Sequence, residues 1–232
     1  MARTRTLTNL IADVRLRADI VDSNVLTDAD ITRFLNESIT DLYDLLILHQ
    51  GQEFFLKTST LNTVNGTDTY NLPSDFFLLR GVDIDFGGGS PWPIRPYSFA
   101  DRYYGRSSNG TGVTGWSYTG DVFYRTYGTA DVDPANGFSY KMRFTPVPDG
   151  VHEVTMWYIP HAPEMVNGTD IWDGFNGWEE YAVVDSAIKC VEKQELDTAA
   201  LQVRLVRLTK RIEALANHRD AGFPERVQIV EY

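Results

Sequence analysis

Apolar residues recur at spacings of three and four at both ends of the chain and at spacings near two in between, and this change of period divides it. Leu7, Leu10, Ile11, Val14 and Ala18 share one helical face and predict a helix over about 8–19. Thr27-Asp28-Ala29-Asp30 then sets a hydroxyl at an N-cap and a carboxylate three residues on, a capping-box arrangement. Ile31, Phe34, Leu35, Leu42, Leu45 and Leu46 follow on one face, and Gly51 can end the helix, so the pattern predicts 28–49.

From Glu53 the texture becomes aromatic and β-branched, with turn signals at short intervals. Phe54–Leu61 and Thr67–Leu72 flank Asn65-Gly66, a pair suited to a tight hairpin turn. Phe76–Phe86 reads as a largely buried strand closed by Gly87-Gly88-Gly89, and Trp116–Tyr127, Phe138–Thr145 and Val151–Tyr158 complete an antiparallel set. Between them, 87–116 is an aromatic and glycine-rich insertion, long enough to suggest an interaction loop. Helical spacing returns at Trp178 and predicts a helix over about 176–194. Leu201, Leu205, Leu208, Ile212 and Leu215 then form a short heptad seam, read as part of a helical hairpin packed on the N-terminal helices. After Gly222-Phe223-Pro224, alternating Val227, Ile229 and Tyr232 suggest an extended arm.

The expected fold class is therefore α+β. A helical bundle from the N- and C-terminal helices (1–51 and 175–219) carries an inserted antiparallel β-rich domain (52–174) and an extended C-terminal arm (220–232).

Charge sharpens this division. The 232 residues carry a formal charge of -11, which disfavours a freestanding nucleic-acid binder. Residues 1–17 are net +3 and 198–219 net +4, whereas 18–197 hold 11 basic and 27 acidic residues, net -16. Two basic helical ends thus bracket an acidic middle. No apolar run of signal-peptide or membrane-spanning length is present, so the expectation is a soluble chain made in a cytosol, with no membrane partner.

Chemistry-bearing patterns are sparse. The single thiol, Cys190, lies in an amphipathic helical stretch and reads as buried and inert. The four histidines, at 49, 152, 161 and 218, lack metal-ligand spacing. Asp131, Asp133 and Asn136-Gly137 resemble a calcium loop superficially, but the ligand spacing is off by one and Pro134 interrupts it, so a solvated hairpin turn is the better reading. Asp83 and Asp85 alternate along a strand without other catalytic partners. The expectation is a non-enzyme with no cofactor and no metal.

The order of parts carries more. Leu10-Ile11-Ala12-Asp13-Val14-Arg15, Leu26-Thr27-Asp28-Ala29-Asp30-Ile31 and Phe34-Leu35-Asn36-Glu37-Ser38 open the chain; Tyr70-Asn71-Leu72-Pro73-Ser74-Asp75-Phe76 and Phe144-Thr145-Pro146-Val147-Pro148-Asp149-Gly150 follow, the latter leading into Trp157-Tyr158-Ile159-Pro160. With a closing helical pair at Glu179-Glu180-Tyr181-Ala182, this arrangement resembles the bacteriophage head-to-tail adaptor proteins, also called connector or tail-tubular proteins. The resemblance implies a virion structural protein in the neck, present in the host cytoplasm before assembly. It also implies a ring, usually of twelve copies, between the portal protein and a downstream tail or nozzle protein, lining the exit channel for genomic DNA without binding it specifically.

Three groups of residues fit those contacts. Arg204, Arg207, Lys210 and Arg211 form an inter-subunit basic face, suited to acidic residues of a neighbour such as Asp28, Asp30, Glu37 or Asp41; a solvated basic face is the plain alternative. Phe223, Val227, Ile229 and Tyr232 form an arm for the portal or a neighbouring subunit. Trp92, Tyr97, Phe99, Tyr103, Tyr104 and Trp116 offer tail-side contacts, with core filling as the alternative for several of them. A different class also stays open, a carbohydrate- or receptor-binding module of a phage tail, whose aromatic rings would stack on sugars; a wall-degrading hydrolase comes third.

Overall fold

The computed structural model describes residues 5–20, 26–50, 55–101, 116, 122–133, 137–172 and 177–216. In chain order the elements are β1 (Arg5–Thr6), α1 (Leu7–Arg17), α2 (Asp28–Gln50), β2 (Lys57–Asn62), β3 (Thr69–Asn71), β4 (Phe76–Asp85), β5 (Trp92–Pro93), β6 (Arg95–Pro96), β7 (Phe123–Asp133), β8 (Gly137–Thr145), β9 (Glu153–Pro160), β10 (Ile171–Trp172), α3 (Glu179–Lys193) and α4 (Ala199–Ala216). The fold is α+β, with four helices among the described residues and sheets that are antiparallel apart from the β6–β7 pair. Contacts divide the chain into two compact units, Met1–Phe54 with Ala162–Tyr232, and Phe55–His161.

In the first unit the starts of α1 and α2 are capped by hydrogen bonds. Thr6 accepts from the Asn9 N–H at 3.3 Å, and the Leu7 and Thr8 N–H groups donate to Asp170 O and Gly168 O, so a loop caps α1. The capping box forms as expected: Thr27 Oγ1 accepts from Asp30 N–H, and Asp30 Oδ2 accepts from Thr27 N–H, each at 3.2 Å. Ile31, Leu35, Ile39, Leu42 and Leu46 are fully buried along α2. α3 packs against α1, α2 and α4, and its small side chains Ala182, Ser186, Ala187 and Cys190 let those helices approach it. The Asp30–Lys193 and Ser38–Asp185 contacts make α2 and α3 antiparallel, while His49 beside Glu213 brings the C-terminal ends of α2 and α4 together. α2 and α4 therefore run the same way. The expected seam on α4 is only partly covered: Ile212 is buried, Leu201, Leu205 and Leu208 are half-buried, and Leu215 is exposed.

The second unit holds two four-stranded sheets, ordered β2-β9-β4-β5 and β3-β8-β7-β6, which share one core. Val82, Ile84, Val154, Met156 and Tyr158 from one sheet and Tyr124, Met142 and Phe144 from the other all belong to it. Several strand expectations are corrected here. Asn65-Gly66 does make a turn, with Gly66 at φ +80, but it joins no hairpin, because β2 pairs with β9 and β3 with β8. Tyr70 instead fixes this crossing, its hydroxyl donating toward Thr67 O and accepting from Val64 N–H. The strand expected from Trp116 starts at Phe123 and runs to Asp133, so Asp131 and Asp133 are strand residues, Asp133 opposite Gly137 and Asp131 within the register shift between Gly128 and Val132; the residues that follow, 134–136, lie outside the described residues. β4 is not largely buried: Phe76, Val82 and Ile84 point inward while Phe77 stands half exposed, as befits a sheet with one solvated face. The start of the insertion is strand rather than loop, since β5 adds to β4 and β6 to β7, carrying the chain from one sheet to the other.

Candidate interaction surfaces

The basic residues expected on the last helix all sit on exposed positions of α4. A shallow cavity of about 350 Å³ runs along this helix, lined by Ala200, Val203, Arg204, Arg207, Leu208 and Arg211. Arg204 pairs with Glu180, which also holds Arg17 at 2.7 Å, so two guanidinium groups share one carboxylate. Among the described residues no ion pair engages Arg207, Lys210 or Arg211. Val203 and Val206, each 53% exposed, add an apolar component that a purely solvated face would not need.

The acidic residues named as partners are already engaged within the chain. Asp28 holds Arg15 at 2.6 Å and Asp30 meets Lys193 at 3.3 Å, whereas Glu37 and Asp41 are held more loosely, at 3.7 and 3.6 Å from Lys189. Lys189 belongs to a polar network between α2 and α3 that the sequence reading missed. Ser38, fully buried, donates to Asp185 at 2.6 Å and accepts from Ser186 and Lys189, each at 3.1 Å. The readable signal for it was the Asp185 to Lys189 spacing of four on one helical face, which closes at 3.0 Å. Negative charge accumulates around this network. Burial and the Asp41 carboxylate hold Asp44 above the usual carboxylate range, and burial with Asp185 and Asp41 pushes the Tyr181 hydroxyl up to about 12.

The aromatic residues grouped by the sequence are dispersed by the fold. Trp116 is 5% exposed, donates from Nε1 to Pro146 O, lies edge-on to Phe144 and stacks on His152, so it fills the core and leaves the set of surface contacts. Trp92 is half exposed on β5, Tyr97 half-buried, and Phe99 exposed beneath the Arg125 guanidinium, 5.2 Å from the ring centre. Tyr103 and Tyr104 lie outside the described residues, as do the arm residues Phe223, Val227, Ile229 and Tyr232. Trp157, an aromatic residue outside the expected set, stands half exposed on β9 with its indole donating to Asp83 at 2.6 Å.

Groups weighed for catalysis have structural partners. Asp83 holds Trp157, and Asp85 Oδ1 accepts the N–H groups of Gly87, Gly88 and Gly89, which shapes the glycine turn. His152 packs between Trp116 and Phe86 beside Asp149, and His161 lies near Ser74 O. Burial pushes the Cys190 thiol up to about 11, which keeps it neutral. Among the described residues no cluster of histidine, cysteine and carboxylate side chains is placed to hold a metal ion, and no helix is long and apolar enough to cross a membrane.

No curated protein matches the chain. The family described as SU10 adaptor protein matches residues 5–228, a span that takes in both units. The chain therefore belongs to the SU10 adaptor protein family and is a bacteriophage head-to-tail adaptor protein.

Proposed function

We propose that copies of this protein form a ring in the virion neck, joined to the portal on one side and to the tail on the other, and that the ring lines the channel through which genomic DNA leaves. Family membership over residues 5–228 is the observation that carries this reading. In it, the four helices form a bundle that carries the β-unit, the C-terminal arm docks on the portal or a neighbour, and the exposed aromatics Trp92 and Phe99 face a tail or nozzle protein.

Two physical features support it. A closed ring needs two different lateral faces, because a self-complementary face stops at a dimer. The exposed cationic stripe on α4 and the acidic stripe on α2 supply unlike faces on one chain. The net -16 of residues 18–197 suits a channel wall that passes DNA without gripping phosphates, since each cationic contact would release counterions and add affinity. The role is structural, and no step of it calls for a cofactor or a catalytic group.

The arm gives the test. A chain truncated after Arg219 is expected to keep its fold, read by circular dichroism, and to stop sedimenting with portal-bearing heads. Sedimentation equal to that of the full chain would contradict the arm's role.

A further inference from the structure

Four exposed positions on α2, Glu37, Asp41, Asp44 and Leu48, recur at intervals of four, three and four residues, on the side of the helix away from its buried leucines. On α4, Arg204, Leu208, Arg211 and Leu215 recur at the same intervals, with Arg207 beside Leu208. At 1.5 Å of rise per residue each stripe is about 16 Å long. The apolar end of each is exposed, Leu48 at 76% and Leu215 at 44%.

Among the described residues neither stripe is neutralised within its own chain. Glu37, Asp41 and Asp185 share the one ammonium of Lys189, and Asp44 is left facing Asp41. On α4, Arg204 shares Glu180 with Arg17, and Arg207 and Arg211 have no ion-pair partner among the described residues.

We infer that the α4 stripe of one copy docks on the α2 stripe of a second copy, the helices running parallel, so that Arg204 meets Glu37, Arg207 and Leu208 meet Asp41, Arg211 meets Asp44, and Leu215 covers Leu48. The inference rests on the ring reading. Within a chain α2 and α4 run the same way, and a small rotation about a ring axis leaves the neighbour's α2 running alongside this chain's α4. The joint is heterologous: each copy gives α4 to one neighbour and α2 to the other, which propagates around a ring. The charges set register and partner choice, and the leucine pair excludes water at one end.

Asp44→Arg and Arg211→Glu test the register, since neither side chain has an ion-pair partner within the described chain. Each variant alone, with its fold checked by circular dichroism, is expected to lower the fraction of protein in rings on purified portal by about tenfold at 0.15 M salt, and the doubly substituted chain to restore it. Ring formation by either single variant at the parent's level, or a folded double variant that stays unassembled, overturns the pairing while leaving the ring reading intact. Loss of portal attachment by Arg211→Glu with no effect of Asp44→Arg also overturns it, and assigns α4 to an acidic surface of the portal instead. A parent chain that forms no ring on portal overturns both readings.

Discussion

Trp116 shows how the surroundings of a residue override its neighbours in sequence. It stands in an aromatic, glycine-rich stretch that invites an interface reading, yet it is buried against Phe144 and His152 with its indole N–H satisfied by Pro146 O. Replacing a buried aromatic of this size by alanine removes its contacts and leaves a cavity, so Trp116→Ala is expected to cost about 3 kcal/mol or more in urea unfolding. A loss under about 1 kcal/mol would return Trp116 to the surface. Cys190 was readable from sequence because its amphipathic helix alone places it. Its thiol is fully buried, and burial lifts it to about 11. A raised acid favours the neutral thiol in the folded state, so that stabilisation is present below the ordinary thiol range and is lost as pH climbs through 11. At pH 8 the native protein is expected to resist Ellman's reagent and the urea-unfolded protein to react at once; prompt labelling of native protein would contradict the burial.

At the scale of elements, what could be read depended on how local the cause is. The cap of α2 was legible because Thr27 and Asp30 satisfy each other three residues apart. The supposed hairpin at Asn65-Gly66 was not, because turn chemistry fixes a reversal without naming the strand that pairs next; β9 and β8 claim the two strands from about ninety and seventy residues downstream. The α2–α3 network was hidden for the same reason, since Ser38 and Lys189 meet only once two helices pack. Asp30 makes the cap measurable. Hydrogen bonds from the Thr27 side chain and backbone, and the nearby Lys193, hold its carboxyl below the usual range. A lowered acid stabilises the fold above the ordinary carboxylate range, and that contribution disappears as pH falls through the folded value. Asp30→Asn is therefore expected to lower the melting temperature at pH 7 and to flatten its decline as pH falls below the ordinary carboxylate range, whereas a decline as steep as the parent's would contradict the assignment.

At the scale of the whole molecule, the family was legible in the order of parts, and the charge partition pointed to unlike ends, but the faces themselves needed the structure. Sequence assigned the cations to α4 correctly as exposed and offered Asp28 and Asp30 as their partners, although Arg15 and Lys193 already hold both. Only the fold shows that Asp44 and Leu48 extend the looser pair, Glu37 and Asp41, into a continuous stripe. In the proposed assembly, copies of one chain with unlike lateral faces close into a ring at the portal and wall the DNA path. Electron microscopy of the protein mixed with purified portal measures this directly. The expected image is a closed ring of adaptor copies seated on the portal, with a lumen wide enough for duplex DNA and a predominantly acidic wall; single unassembled copies beside bare portals, or a ring whose lumen is lined mainly by arginine and lysine, would overturn the proposed assembly.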